Sequence, residues 1–172
     1  MSNARDLSTA KPLVQGTSQA TTSGTSKDFT GIPSWAKRIT VIFSGVSTNA
    51  AGSSQPIVQL GNSSGIENTG YASAVSVSVA GNSTGSASST AGFILVSSVV
   101  AATTFSGTLT LTLVDRSTNT WVGSLASAST NASGGYTGGG TKSLSATLDR
   151  IRLTTINGTD TFDAGSVNIL YE

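Results

Sequence analysis

Three aspartates gather near the end of the chain: Asp149, then Asp160 and Asp163 flanking Phe162. Two carboxylates brought together by a turn are the minimum for glycoside hydrolysis, and a denser set could hold calcium. Nothing here approaches the ligand density of a calcium loop, and Asp beside Asn and Gly more often closes a turn on its own backbone. Arg150 and Arg152 share one face of an alternating stretch. Such a pair grips an anionic sugar or phosphate, or more often meets a carboxylate across a strand. Residues 137–141 read TGGGT, which lacks the Lys-Ser/Thr and the following helix of a phosphate loop. Two rings stand in more exposed contexts. Trp121 opens a segment just after a turn and Tyr136 sits in a glycine-rich stretch, so these are the candidate surface contacts with a partner, as rings that could stack on a sugar. Trp35, after Pro33, is expected in the core.

Two absences narrow the chemistry. The chain has no His and no Cys, which removes zinc sites, Ser-His-Asp triads and Cys-His dyads. Catalytic residues, metal ligands and cofactor sites are therefore expected to be none. Nine Lys and Arg against eight Asp and Glu give a net charge of +1. No block of like charge suggests nucleic acid or a membrane surface, and no apolar run is long enough to insert as a helix. Solubility rests instead on 30 Ser and 26 Thr. The sequons at Asn62, Asn82, Asn131 and Asn157 are what so many hydroxyl residues produce by chance. The start, MSNARDLSTAKPLVQ, has no apolar signal-peptide region, so the chain is expected to stay in the cytoplasm until it joins a larger assembly.

The elements that must position these residues are strands. Residues 1–26 form a polar arm broken only by Leu7, Leu13 and Val14. With so little core of its own, this attachment arm leans either on a neighbouring subunit or on its own domain. Residues 27–172 then read as one β domain. Ile39, Val41 and Phe43 alternate inward, as do Val75, Val77 and Val79, and Leu109, Leu111 and Leu113 against Thr108, Thr110 and Thr112, each at the two-residue period of a half-buried strand. Residues 56–61 make a short strand, and the apolar run 91–102 is expected as a central strand buried on both faces. Residues 116–120 form a hairpin loop, and 128–141 an exposed loop. Asn157-Gly158 predicts a hairpin turn that returns the chain into a last strand, kinked at 163–165. With no helix signal, the expected fold is all-β, an antiparallel β-sandwich of jelly-roll-like type with an extended N-terminal arm.

Several blocks resemble a module found at the C-terminal end of tail fibres and related virion surface proteins of tailed bacteriophages and prophages. The resemblance is carried by SGTSKDFTGIPSWAKRITVIFSGVSTN, VQLGNSSGIENTGY, STNTWVGSL and TLDRIRLTTINGTDTFDAGSVNILYE. It covers about residues 23–172 and is most specific in KDFTGIPSWAKRI and NGTDTFDAGSVNILYE. It implies a virion structural protein, assembled in the host cytoplasm, often a homotrimer, with no catalytic residues. A short tail fibre or adhesin would attach to other virion proteins through the arm and meet a host glycan or protein. Family members usually follow a longer shaft. The short arm here also fits a capsid decoration protein that cements the head.

Overall fold

The three strongest alternations in the sequence lie in one large sheet. A computed structural model describes residues 12–49, 54–79, 84–101, 103–130 and 134–172. Its larger sheet runs, from edge to edge, β1 (Val14–Gln15), β14 (Phe162–Tyr171), β4 (Arg38–Thr48), β10 (Phe105–Asp115), β11 (Thr120–Ser129), β12 (Gly134–Ser143), β7 (Tyr71–Val79) and β8 (Thr84–Ser89), with β2 (Gln19–Ala20) also on β14. The smaller sheet runs β3 (Lys27–Thr30), β13 (Arg150–Thr155), β5 (Pro56–Asn62) and β6 (Gly65–Glu67), with β9 (Phe93–Ile94) on β5. All pairings are antiparallel. The protein is an all-β sandwich, and among the described residues no helix occurs.

The core follows from the two-residue period. Ile39, Val41 and Phe43 of β4 are buried and lie in register beside Leu111, Leu109 and Gly107 of β10. From the smaller sheet come Val58 and Leu60 of β5 with Ile151 and Leu153 of β13. Edge-on aromatic pairs, Phe43 with Phe105 and Tyr71 with Phe93, have centroids 5.4 Å apart, within the favoured range for such contacts.

Four expectations change. Asn157-Gly158 does turn the chain, with Gly158 at φ 69° and the Asn157 side-chain carbonyl accepting from the Thr159 and Asp160 amides. It does not make a hairpin, because β13 belongs to the smaller sheet and β14 to the larger; the turn carries the chain across the sandwich. The run 91–102 is buried over Gly92–Val96, yet only Phe93 and Ile94 pair as a strand. A longer strand buried along its whole length is β5. The supposed loop at 128–141 is mostly strand: β11 continues to Ser129, and β12 pairs with β11 and β7 throughout. Glycines 138 and 140 are there because a side chain would collide with the backbone of β7, at the Ala74 and Ala72 carbonyls. Lastly, Trp35 is only half-buried and packs on Tyr171 at 5.7 Å.

The described part of the arm lies on its own domain. β1 and β2 lie along β14 of their own domain, Val14 opposite Tyr171 and Gln19 opposite Val167. Thr21 is fully buried, its hydroxyl donating to the Ala164 carbonyl at 2.7 Å. The expected kink at 163–165 is present as two register shifts, with Gly165 at φ 90°.

Candidate functional site

Strand phase decides where the two candidate aromatics point. On β11 the inward positions include Trp121, Gly123 and Leu125; on β12 they include Gly134, Tyr136 and Lys142. Trp121 is 3% exposed and Tyr136 2%, so neither ring can meet a host molecule or a partner. This corrects the expectation drawn from their loop-like surroundings. The Tyr136 hydroxyl instead shares a hydrogen bond with Ser129 Oγ at 3.4 Å, as a buried phenol must find a partner. Of the arm residues, Leu13 is 61% exposed and Val14 half-buried. Leu7 lies outside the described residues, as do the sequons at Asn82 and Asn131.

The aspartates do not converge. Asp149 takes the Arg150 guanidinium at 2.7 Å, and Asp160 accepts from the Asn157 amide at 2.9 Å. Among the described residues no three potential metal ligands come together. Arg152 meets a carboxylate across a strand: both its Nε and Nη2 bond to Asp28 on β3 at 2.7 Å. This bidentate geometry fixes the guanidinium in place and raises its pKa.

That fixed arginine stands on one side of a cleft of about 450 Å³ on the outer face of the smaller sheet. The sheet's phase builds the floor. Val58, Leu60, Ile151 and Leu153 point inward, so Gln59, Arg152 and Thr154 point out into the cleft. Ile66 and Asn68, and the turn from Ile156 to Gly158, supply the walls. Enclosure leaves Gln59 only 7% exposed despite its outward phase. Its amide nitrogen donates to the Ala91 carbonyl at 3.0 Å, and Thr154 donates to the Thr25 carbonyl at 2.8 Å. The lining offers hydroxyls, amides and a guanidinium whose charge Asp28 already matches. It suits a neutral, hydroxyl-rich group better than a free anion.

A second polar cluster spans the sandwich. Glu67, the last residue of β6, receives Lys142 Nζ on Oε2 at 2.6 Å. Its Oε1 accepts from Asn62 Nδ2 at 2.9 Å, from the Ser145 amide at 2.8 Å and from Ser145 Oγ at 2.7 Å. Lys142 is 6% exposed, also donates to the Thr69 carbonyl at 3.0 Å, and lies 5.3 Å from the centre of the Tyr71 ring. Partial burial raises the Glu67 pKa, but Lys142 and Ser145 together outweigh it and the net shift is downward. Burial, aided by the charge of Glu67, raises the Tyr71 phenol above its ordinary value. Sequence reasoning missed this cluster. Its one signal was a lysine on the apolar phase of a strand, Lys142 two residues before Leu144, hidden by the glycines that disguised β12.

These features define an all-β antiparallel sandwich with a ligand-sized polar cleft on its smaller sheet. Compared with known proteins, the chain matches no family model, no curated protein and no solved structure at a significant level.

Proposed function

We propose that this chain is a structural protein of a tailed-bacteriophage virion, of the short tail fibre or adhesin type. Residues 1–11, ahead of the part of the arm that lies along β14, fix it to other virion proteins, and the cleft beside Arg152 meets a host-surface saccharide. No catalytic role is assigned. The observation that carries the reading is where the two most distinctive phage-like blocks fall. The block at 27–39 and the block at 157–172 form a single joined substructure: Trp35 packs on Tyr171, the Lys37 and Arg38 amides donate to the Glu172 carbonyl, and Arg38 pairs with the Glu172 carboxylate. Residues that resemble one module thus share one structural unit.

A homotrimer belongs to the same reading. The surface that suits it is the outer face of the larger sheet, where the outward positions of β11, β12, β7 and β8 are Ser, Thr, Ala, Gly and Val, and those of β10 are Ser, Thr and Val up to the exposed Asp115 at its end. Pairing such a face with further copies of the chain, with Asp115 at its rim, desolvates no charge at its centre.

Competition tests the host-contact role. Purified protein added to host cells should block adsorption of the phage that carries it, whereas the double variant Asn68→Arg/Ile156→Arg, which fills the cleft from two exposed walls, should fold and fail to compete. Loss of competition by wild type would remove the adhesin reading. Equal competition by the variant would remove the cleft.

A further inference from the structure

The cluster around Glu67 has the parts of a reaction as well as those of an ion pair. A primary amine, Lys142 Nζ, sits on one oxygen of the carboxylate at 2.6 Å, and a carboxamide nitrogen, Asn62 Nδ2, sits on the other at 2.9 Å. The Asn62 carbonyl oxygen accepts the Ser64 backbone N–H at 2.8 Å, a fixed donor aimed where negative charge would develop during attack on Cγ. Asn62 is 2% exposed, Lys142 6% and Tyr71 3%, so bulk water is kept from the electrophile. Glu67 is itself held through Oε1 by the hydroxyl and amide of Ser145, which leaves Oε2 to Lys142.

We propose that Lys142 and Asn62 join in an isopeptide bond, with Glu67 carrying the protons. Lys142 Nζ gives a proton to Glu67, and its freed lone pair attacks Asn62 Cγ. The Nζ–Cγ bond forms while the oxygen charge rests on the Ser64 N–H. The Cγ–Nδ2 bond then breaks. Two of the three ammonium protons pass through Glu67 to the departing nitrogen, which leaves as ammonium, and the third stays on the new amide. Glu67 ends as the carboxylate it began, and nothing is oxidised or reduced.

Two features favour this over a salt bridge alone. Nucleophile and leaving group share one proton carrier, the arrangement general acid–base catalysis needs, and holding the partners together replaces a bimolecular encounter. The lysine stem is unbranched and flexible, so Nζ can leave Oε2 by side-chain rotation. The bond would also join the ends of β5 and β12, one strand from each sheet. A chain without cysteine would gain by it a covalent staple across its core.

The test is the mass of the full-length protein. The expected mass is lower than that of the sequence by one ammonia, with proteolysis releasing a branched peptide that contains both residue 62 and residue 142. Glu67→Gln should return the full mass. A wild-type protein at full mass overturns the proposal. So does a loss of ammonia that maps to Asn157-Gly158, where a backbone succinimide would give the same mass change. Should Glu67→Gln fail to fold, the wild-type mass and the branched peptide still decide.

Discussion

Replacing Trp121 by alanine separates a surface ring from a buried one. The indole is 3% exposed on the inner phase of β11, with Leu113 of β10 and Lys142 of β12 opposite it in register. Truncating a buried Trp to Ala costs about 3–5 kcal/mol, through lost transfer energy and the cavity left behind. Against a total stability on the order of 5–15 kcal/mol, that is a large share. At about 2–4 °C per kcal/mol for a domain of this size, the melting temperature should fall by roughly 6–20 °C. Urea titration followed by circular dichroism is the assay. The midpoint should drop while the slope stays constant, since the same surface is exposed on unfolding. A change under about 1 kcal/mol, the scale of a surface substitution, would refute the buried placement of Trp121 and with it the register of β10, β11 and β12.

The backbone, the titrating groups and the large sheet face each yield a further expectation. Gly165→Ala should destabilise by at least about 1–3 kcal/mol, because φ is 90° there and the new Cβ would overlap the Gly45 carbonyl; an unchanged denaturation midpoint would contradict the kink. In an Asn62→Ala background, which cannot cross-link, the Glu67–Lys142 pair persists. The Glu67 pKa is lower folded than its reference value of 4.5, so its contribution is complete above that pH and is lost as pH falls through the folded value. Stability of that variant should therefore drop on acidification below about pH 4.5, and a flat acid limb would count against the pair. Tyr71 has the opposite sign: its pKa is raised above 10.0, so wild-type stability should decline above about pH 10, and Tyr71→Phe should lessen that decline. Ala126→Arg, among the small and hydroxyl residues on the outer face of β11, should shift the proposed trimer to monomer in light scattering without unfolding it; an intact oligomer would move the interface elsewhere.

How legible the fold was depended on whether side chains spoke for the backbone. β4, β7 and β10 were readable because Val, Ile, Leu and Phe alternate with Ser and Thr, and one buried face imposes that period. β12 was not, since Gly134, Gly135, Gly138, Gly139 and Gly140 carry no side chain to show a phase; glycine there marks close approach of neighbouring strands. The same blindness misplaced Tyr136 and concealed Lys142. Asn157-Gly158 announced a turn correctly, but a local turn signal does not say whether the next strand joins the same sheet. The run from Ala91 to Ala102 was apolar enough for a central strand, and the burial of Gly92–Val96 was legible while its lack of pairing beyond Phe93 and Ile94 was not. The cleft was invisible for another reason. Its floor residues are separated in sequence and meet only because β5 and β13 pair in the register that sets Gln59 opposite Arg152.

The position of the chain on the virus particle tests the proposed function most directly. The chain has no cysteine, so Arg116→Cys, in the exposed loop between β10 and β11, gives a single attachment point for gold. On purified virions imaged by electron microscopy, gold at the tail tip is the expected result. Gold spaced regularly over the head would contradict the fibre assignment and make the chain a decoration protein, and particles without gold would contradict a virion role altogether.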